Sequence, residues 1–228
     1  MPTLCDRRIV PIPMILHQIW IGPRPAPLVW TRTWKDMNPD FVYRLWDEEA
    51  IGAFGLRNLE VYRRFVSEGL YEGAADIARA EILHRHGGVY ADADSVALRP
   101  LGDGPFMDAG FFAQHEPNEH YPGLVTNAFL GAIPDHPVLG RYIDVMSRIA
   151  TLRPMWRVSG PGALTDVLTA HMEPDVMILP WHTFFTATLW GDEGPTGDPY
   201  AQHYWSTTAE RWGYEKATPF PTSPPTAS

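Results

Sequence analysis

Cysteine is all but missing from this chain: only Cys5 occurs in 228 residues. An internal disulfide framework is therefore excluded, and the usage suits a reducing compartment. Lysine is almost as scarce, found only at Lys35 and Lys216, and the formal net charge is −9. A protein that tracks nucleic-acid phosphates needs a basic stripe; none is written here, so no nucleic-acid partner is expected. Long apolar runs are missing too. The opening stretch "MPTLCDRRIVPIPMILHQIW" is basic and then apolar, but Pro11 and Pro13 break it and His17 and Gln18 cut it short. It reads as neither a signal peptide nor a membrane span of about 20 apolar residues. The expectation is a soluble protein made inside the cell, cytoplasmic or resting peripherally on the inner face of the membrane. No internal repeat and no domain boundary stands out. One domain over residues 1–213 is expected, followed by a loose Pro/Ser/Thr-rich tail over 214–228.

What is present is core and aromatic surface. Hydrophobic residues make up 45% of the chain, with 9 Trp, 9 Tyr and 10 Phe, enough for a sizeable core and for platforms under flat or sugar-like ligands. "MILHQIW" (14–20), "FVYRLWD" (41–47), "GFFAQHE" (110–116), "VTNAFLGAI" (125–133) and "DVMILP" (175–180) read as strands. Helices are expected over "VWTRTWKDMNPD" as far as Pro39, over 47–54, 57–69, 136–150 and 159–172, and most clearly over "EGAADIARAEILHRHGG" (72–88). Gly87 and Gly88 supply the stop of that last helix. Strands alternating with helices predict an α/β fold, a mainly parallel central sheet flanked by helices.

The most informative stretch is "EILHRHGGVYADADSVALRP" (81–100). A short apolar strand follows the two glycines, and then come Asp92 and Asp94. In an extended segment residues two apart point to one side, so both carboxylates would face one place at a strand exit. Ligands of open α/β sheets collect beyond such carboxyl ends. A divalent cation relieves the repulsion of paired carboxylates, and manganese or magnesium prefers oxygen donors. The plain alternative is an acidic turn; an EF-hand loop fails because Val96 stands where an oxygen ligand is needed. Asp76 and Arg79 are three residues apart, on one face of the preceding helix. They are either a surface pair or directed over the sheet edge toward the aspartates. His84 and His86 fit a helix C-terminus, where positive charge is favoured, better than metal ligation. His17 fits a satisfied core histidine.

"PMILHQIWIG", "NPDFVYRLWD", "AADIARAEILHRHGGVYADADSVALRPL", "TNAFLGAIPDHP", "SGPGALT" and "HYWSTTAERW" follow one another over residues 12–213. In content and order they resemble the DXD-containing glycosyltransferases of the yeast initiating α-mannosyltransferase and bacterial capsular polysaccharide type. The glucosyltransferase domains of large clostridial toxins are more distant relatives. The resemblance implies a GT-A, Rossmann-like fold, a nucleotide-sugar donor (GDP-mannose or a UDP-hexose), a manganese or magnesium ion, and retention of anomeric configuration. The acceptor would be a glycan, a glycolipid or a small molecule, in polysaccharide or glycolipid synthesis. By motif, Asp94 matches the direct metal ligand and Asp92 the aspartate nearer the ribose and the metal's water shell. Asp76 and Arg79 match the pair that holds the transferred sugar, with Arg79 close to the diphosphate. Trp20 matches the base-stacking tryptophan, with plain core as its alternative. Tyr90 matches the aromatic before the DXD. Asn127 matches an asparagine facing sugar or acceptor, the alternative being a partner for a buried backbone group. His203 and Trp205 fall where relatives place a late metal ligand and an aromatic over the diphosphate, and Ser206 competes with His203 as that ligand. The turn Gly160-Pro161-Gly162 is a phosphate cradle or only a turn.

Two rivals remain. A haloacid-dehalogenase-like phosphatase also uses D-x-D after a strand, but needs a downstream Lys followed by an acidic pair. Here the only such lysine, Lys216, comes after Asp192 and Glu193. A non-catalytic sugar-binding module would leave Asp76, Arg79 and the D-x-D pair without a use.

Overall fold

The computed structural model describes residues 11–117, 120–188, 194 and 197–204. In chain order they form β1 (Ile15–Ile19), α1 (Leu28–Met37), β2 (Val42–Trp46), α2 (Glu48–Phe54), α3 (Leu59–Ser67), α4 (Tyr71–His86), β3 (Gly88–Ala91), β4 (Ser95–Ala97), β5 (Phe111–His115), β6 (Val125–Ala132), α5 (Pro137–Met146), α6 (Met155–Val158), α7 (Pro161–Ala170), β7 (Val176–Leu179) and β8 (Ala201–His203). Local chemistry sets several of these boundaries. Asp47 caps α2 by accepting from the Ala50 amide at 2.8 Å, and Gly55 ends that helix in the left-handed region. Glu81, on α4, caps α3 from outside: its carboxylate accepts from the amides of Arg57 at 2.5 Å and Asn58 at 2.8 Å. The Asn58 amide, at the N-cap, is a donor the helix start cannot satisfy itself.

Among the described residues six strands make the central sheet, in the order β2-β1-β3-β6-β5-β7. β1 runs parallel to β2 and β3, and β5 parallel to β7. The expected mainly parallel sheet is present, with β6 as its reversed strand, antiparallel to both β3 and β5. That reversal brings the first residues of β6 to the edge where β1 and β3 end. A second, two-stranded sheet pairs β4 with β8. No hydrophobic period announces strands of three residues.

Alternation along the strands divides the core. Val89 and Ala91 of β3 join one cluster, with Trp34, Phe112, Phe129 and Phe184. Tyr90 joins the other, with α3, α4, α5 and α7 supplying Phe65, Ile77, Ile82, Leu139 and Leu164. Each large apolar side chain buried this way stabilises the fold by about 1.5–3 kcal/mol relative to exposure. α4 is enclosed on nearly all sides, from Gly73 to Leu83 with few breaks, so its polar residues are held in the interior. Among the described residues no helix is long and apolar enough to cross a membrane.

Candidate functional site

The site is built where α4 turns into β3. Gly87 and Gly88 make that turn with φ of 62° and 97°, a region that side chains avoid. A Cβ on Gly88 would stand 2.5 Å from the Ile15 carbonyl oxygen, so only glycine lets β3 lie this close to β1. β3 is buried throughout. Its last bond to the neighbouring strand runs from the Asp92 amide to the Ala128 carbonyl, at 2.9 Å. Asp92 therefore leaves the sheet at the carboxyl end of a central strand.

Arg79 joins the two halves of the site. Its guanidinium lies 3.0 Å from Asp92 Oδ1 and 3.3 Å from Asp76 Oδ1. It donates to the Asn127 carbonyl at 2.6 Å and lies 4.5 Å above the Tyr90 ring. The Tyr90 hydroxyl donates to Asp92 Oδ1 at 2.8 Å. Asp76 and Arg79 thus face the aspartates and are not a surface pair; each is 5% exposed. Burial raises the Asp76 carboxyl to about 6, against the opposing pull of Arg79, Ser159 and Asn127.

Asp92 and Asp94 do converge, but not through an extended backbone. Ala93 and Asp94 form a turn, so the same-side rule for strands does not apply to them. Convergence comes from a third residue. Ser95 of β4 pairs with His203 of β8, which places His203 Nε2 3.3 Å from Asp92 Oδ2 and 3.2 Å from Asp94 Oδ1. Burial would lower the His203 pKa, yet Asp94 and Asp92 outweigh it and lift it to about 10. The two carboxylates therefore favour a positive charge at this point, whether a protonated imidazole or a bound cation. Asp92, Asp94 and His203 offer ligand atoms that all lie within 4.8 Å of one another. Two carboxylates and one imidazole form a donor set that a divalent ion fits, once the imidazole gives up its proton. Carboxylates suit magnesium and manganese alike, while an imidazole tips the set toward the transition metal.

The other expected residues take definite places. Trp20 follows β1, half-buried at the sheet edge that also carries Asp92, and its indole donates to the Arg24 carbonyl at 2.8 Å. Asn127 donates its side-chain amide to Asp76 Oδ1 at 2.7 Å, so its side chain serves a carboxylate and its carbonyl serves Arg79. Trp205 and Ser206 lie outside the described residues, as does the segment 214–228. His17 is the satisfied core histidine expected: it is fully buried, accepts from the Trp46 indole at 3.0 Å and donates to the Gly87 carbonyl at 3.0 Å. His86 departs from the helix-end reading. Burial, then Arg44 and Arg85, lower its pKa, and its ring packs on His17, Trp46 and Phe54, which favours the neutral form.

Four contributors went unread in the sequence. Gln18 donates to the Asp92 carbonyl at 3.3 Å, and Ser95 to the same oxygen at 2.5 Å. Ser159 donates to Asp76 Oδ2 at 2.9 Å. Tyr142 donates to the Ser159 carbonyl. Only Ser159 carried a signal, as the first residue of "SGPG"; the rest look like ordinary strand, turn and core positions.

Residues 29–115 match the family described as "Glycosyltransferase sugar-binding region containing DXD motif". An uncharacterised glycosyltransferase of Acanthamoeba polyphaga mimivirus is 35% identical, over 56% of this chain and 52% of that protein. Inositol phosphoceramide mannosyltransferase 3 of Schizosaccharomyces pombe is 28% identical, over 61% of this chain and 38% of that protein. The chain thus spans about half, or less, of the length of these curated relatives. Among solved structures, the PaToxG glycosyltransferase superposes with a TM-score of 0.61 at 18% identity, over 71% of this chain and 70% of that one. The UDP-bound glycosyltransferase domain of the YGT toxin gives 0.56 at 11% identity, over 74% and 79%. Residues 29–115 thus resemble the DXD-containing sugar-binding region of glycosyltransferases, and the described residues share the GT-A fold of these solved domains.

Proposed function

We propose that this chain is a metal-dependent, retaining hexosyltransferase that moves one sugar from a nucleotide-sugar donor to a hydroxyl acceptor. The observation that carries the reading is Arg79, fixed between the DXD carboxylate of Asp92 and the buried carboxylate of Asp76. One guanidinium then serves the diphosphate side and the sugar side of a single bond. Asp92, Asp94 and His203 would hold manganese in preference to magnesium, and the bound ion would supply positive charge against the leaving diphosphate. Arg79 adds its own charge there, stabilising the departing group as it develops. Asp76 fixes sugar hydroxyls so that C1 faces the acceptor. Trp20 stacks on the base, and Tyr90 holds Asp92 and Arg79 in register. The acceptor hydroxyl attacks from the face the diphosphate leaves, giving its proton to the leaving phosphate, so the anomeric configuration is kept. Because relatives are named as mannosyltransferases, GDP-mannose is the first donor to test. UDP-glucose and UDP-galactose follow.

The test is a screen of these sugar nucleotides for nucleoside diphosphate release with manganese and with chelator, followed by nuclear magnetic resonance of the earliest product. Metal-dependent release with retained configuration is expected. An inverted product would overturn the retaining assignment. Phosphate release from simple phosphomonoesters without donor cleavage would favour the phosphatase, and sugar binding with no turnover of any donor the binding module.

A further inference from the structure

Besides Arg79, Asp76 is braced by residues that have no part in the chemistry proposed above. Its Oδ1 accepts from Asn127 Nδ2 at 2.7 Å and faces the Arg79 guanidinium at 3.3 Å. Its Oδ2 accepts from the Ser159 hydroxyl at 2.9 Å. That hydroxyl has one proton and a second acceptor, the Met155 carbonyl, at 3.3 Å. The carboxylate is nearer and is the stronger acceptor when ionised. Ser159 is itself held, because the Tyr142 hydroxyl donates to its carbonyl and accepts from Asn127 Nδ2 at 3.3 Å. Asp76, Ser159, Tyr142 and Asn127 close a ring drawn from α4, the α6–α7 junction, α5 and β6. Ser159 and Tyr142 are fully buried. The next residue, Gly160, has no side chain. A Cβ there would lie 3.3 Å from Asp76 Oδ2, so the glycine leaves that side of the oxygen open.

We propose that Ser159 and Tyr142 are positioning residues that lock the Asp76 carboxylate, so that Oδ2 presents its one remaining lone pair to a single hydroxyl of the transferred sugar. The proposal rests on the transferase reading above. The ring fixes the rotamer of Asp76 before any donor arrives, and the sugar is received without the carboxylate having to be ordered. Loss of the brace should therefore be felt by the sugar and not by the nucleotide.

The experiment compares calorimetric affinities for GDP and GDP-mannose, and for UDP and UDP-glucose, each with manganese, alongside turnover of the sugar nucleotides. Ser159→Ala should lower turnover by about 10- to 100-fold, the range for losing a hydrogen bond to a charged group. It should also lose affinity for the sugar nucleotide while keeping that for the free diphosphate. Ser159→Thr, which keeps the hydroxyl, should restore both. Tyr142→Phe removes one oxygen and no packing, and should produce the same split in smaller measure; it carries the test should Ser159→Ala not fold. Asp76→Asn separates the two levels. If Asp76→Asn binds and turns over sugar nucleotides as the wild type does, the site reading fails and the inference with it. If Asp76→Asn loses both while folded Ser159→Ala and Tyr142→Phe behave as wild type, the bracing role alone is overturned. Equal losses for diphosphate and sugar nucleotide would likewise overturn it.

Discussion

Replacing Arg79 by methionine removes a buried charge at nearly constant volume, and the surroundings set what this should cost. The guanidinium is 5% exposed and faces Asp92 Oδ1 at 3.0 Å, Asp76 Oδ1 at 3.3 Å and the Asn127 carbonyl at 2.6 Å. Removing one partner of a buried ion pair leaves the other uncompensated and costs about 3–5 kcal/mol. Asp76 provides partial relief. Burial already lifts its carboxyl to about 6 while Arg79, Ser159 and Asn127 pull it down. Without Arg79 it rises further, and the group takes up a proton near neutral pH. Asp76→Asn imposes the same neutralisation permanently. In the Arg79→Met background the second change should therefore recover stability, whereas alone it removes a partner from Arg79. The coupling expected between the two is about 1–3 kcal/mol. Urea unfolding of wild type, both single variants and the double variant at pH 7, in chelator and followed by circular dichroism, measures it. Effects that add to within about 0.5 kcal/mol would refute the pairing. The penalty of Arg79→Met should also shrink as pH falls from 8 to 5, because protonated Asp76 needs no counter-charge.

His17 gives a stability signature of opposite sign. Burial, chiefly, lowers its pKa from 6.5 to about 4. Between those values the unfolded chain binds a proton that the folded chain refuses, so stability falls as pH falls through 6.5 and the loss is complete near 4. Relative to His17→Gln, wild type should lose about 3 kcal/mol between pH 8 and pH 4; a pH-independent difference would mean that the imidazole is not held neutral. Trp20→Ala should weaken GDP or UDP binding by roughly 1–3 kcal/mol, the worth of a base stacked on an aromatic ring. Unchanged nucleotide affinity in a variant with a normal melting transition would leave Trp20 as packing alone.

Much of the fold was legible because its elements carry strong local signals. α4 has a helical pattern and a double glycine stop, and β3 follows as a short apolar strand. Together they locate Asp76, Arg79, Asp92 and Asp94 from sequence. The direction of β6 was not legible, since an isolated strand looks the same whichever way its neighbour runs. The D-x-D turn was misread as extended, because nothing in "YADADS" shows that His203, 111 residues from Asp92, will gather the carboxylates. β4 and β8 are three residues each, too short for any period to appear. Ser159 lies 83 residues from Asp76, and its local partner, the Met155 carbonyl four residues back, betrays no role. Such contacts exist only once packing has joined distant segments.

Under the proposed function, Asp92, Asp94 and His203 hold a divalent ion for a nucleoside diphosphate. Calorimetry of GDP and UDP with the wild type in manganese, repeated in chelator and with Asp94→Asn, tests it most directly. The expected result is binding in manganese that is strongly weakened by chelator, and weakened similarly by Asp94→Asn in a protein whose melting transition is kept. Equal nucleotide affinity with and without the metal would contradict it.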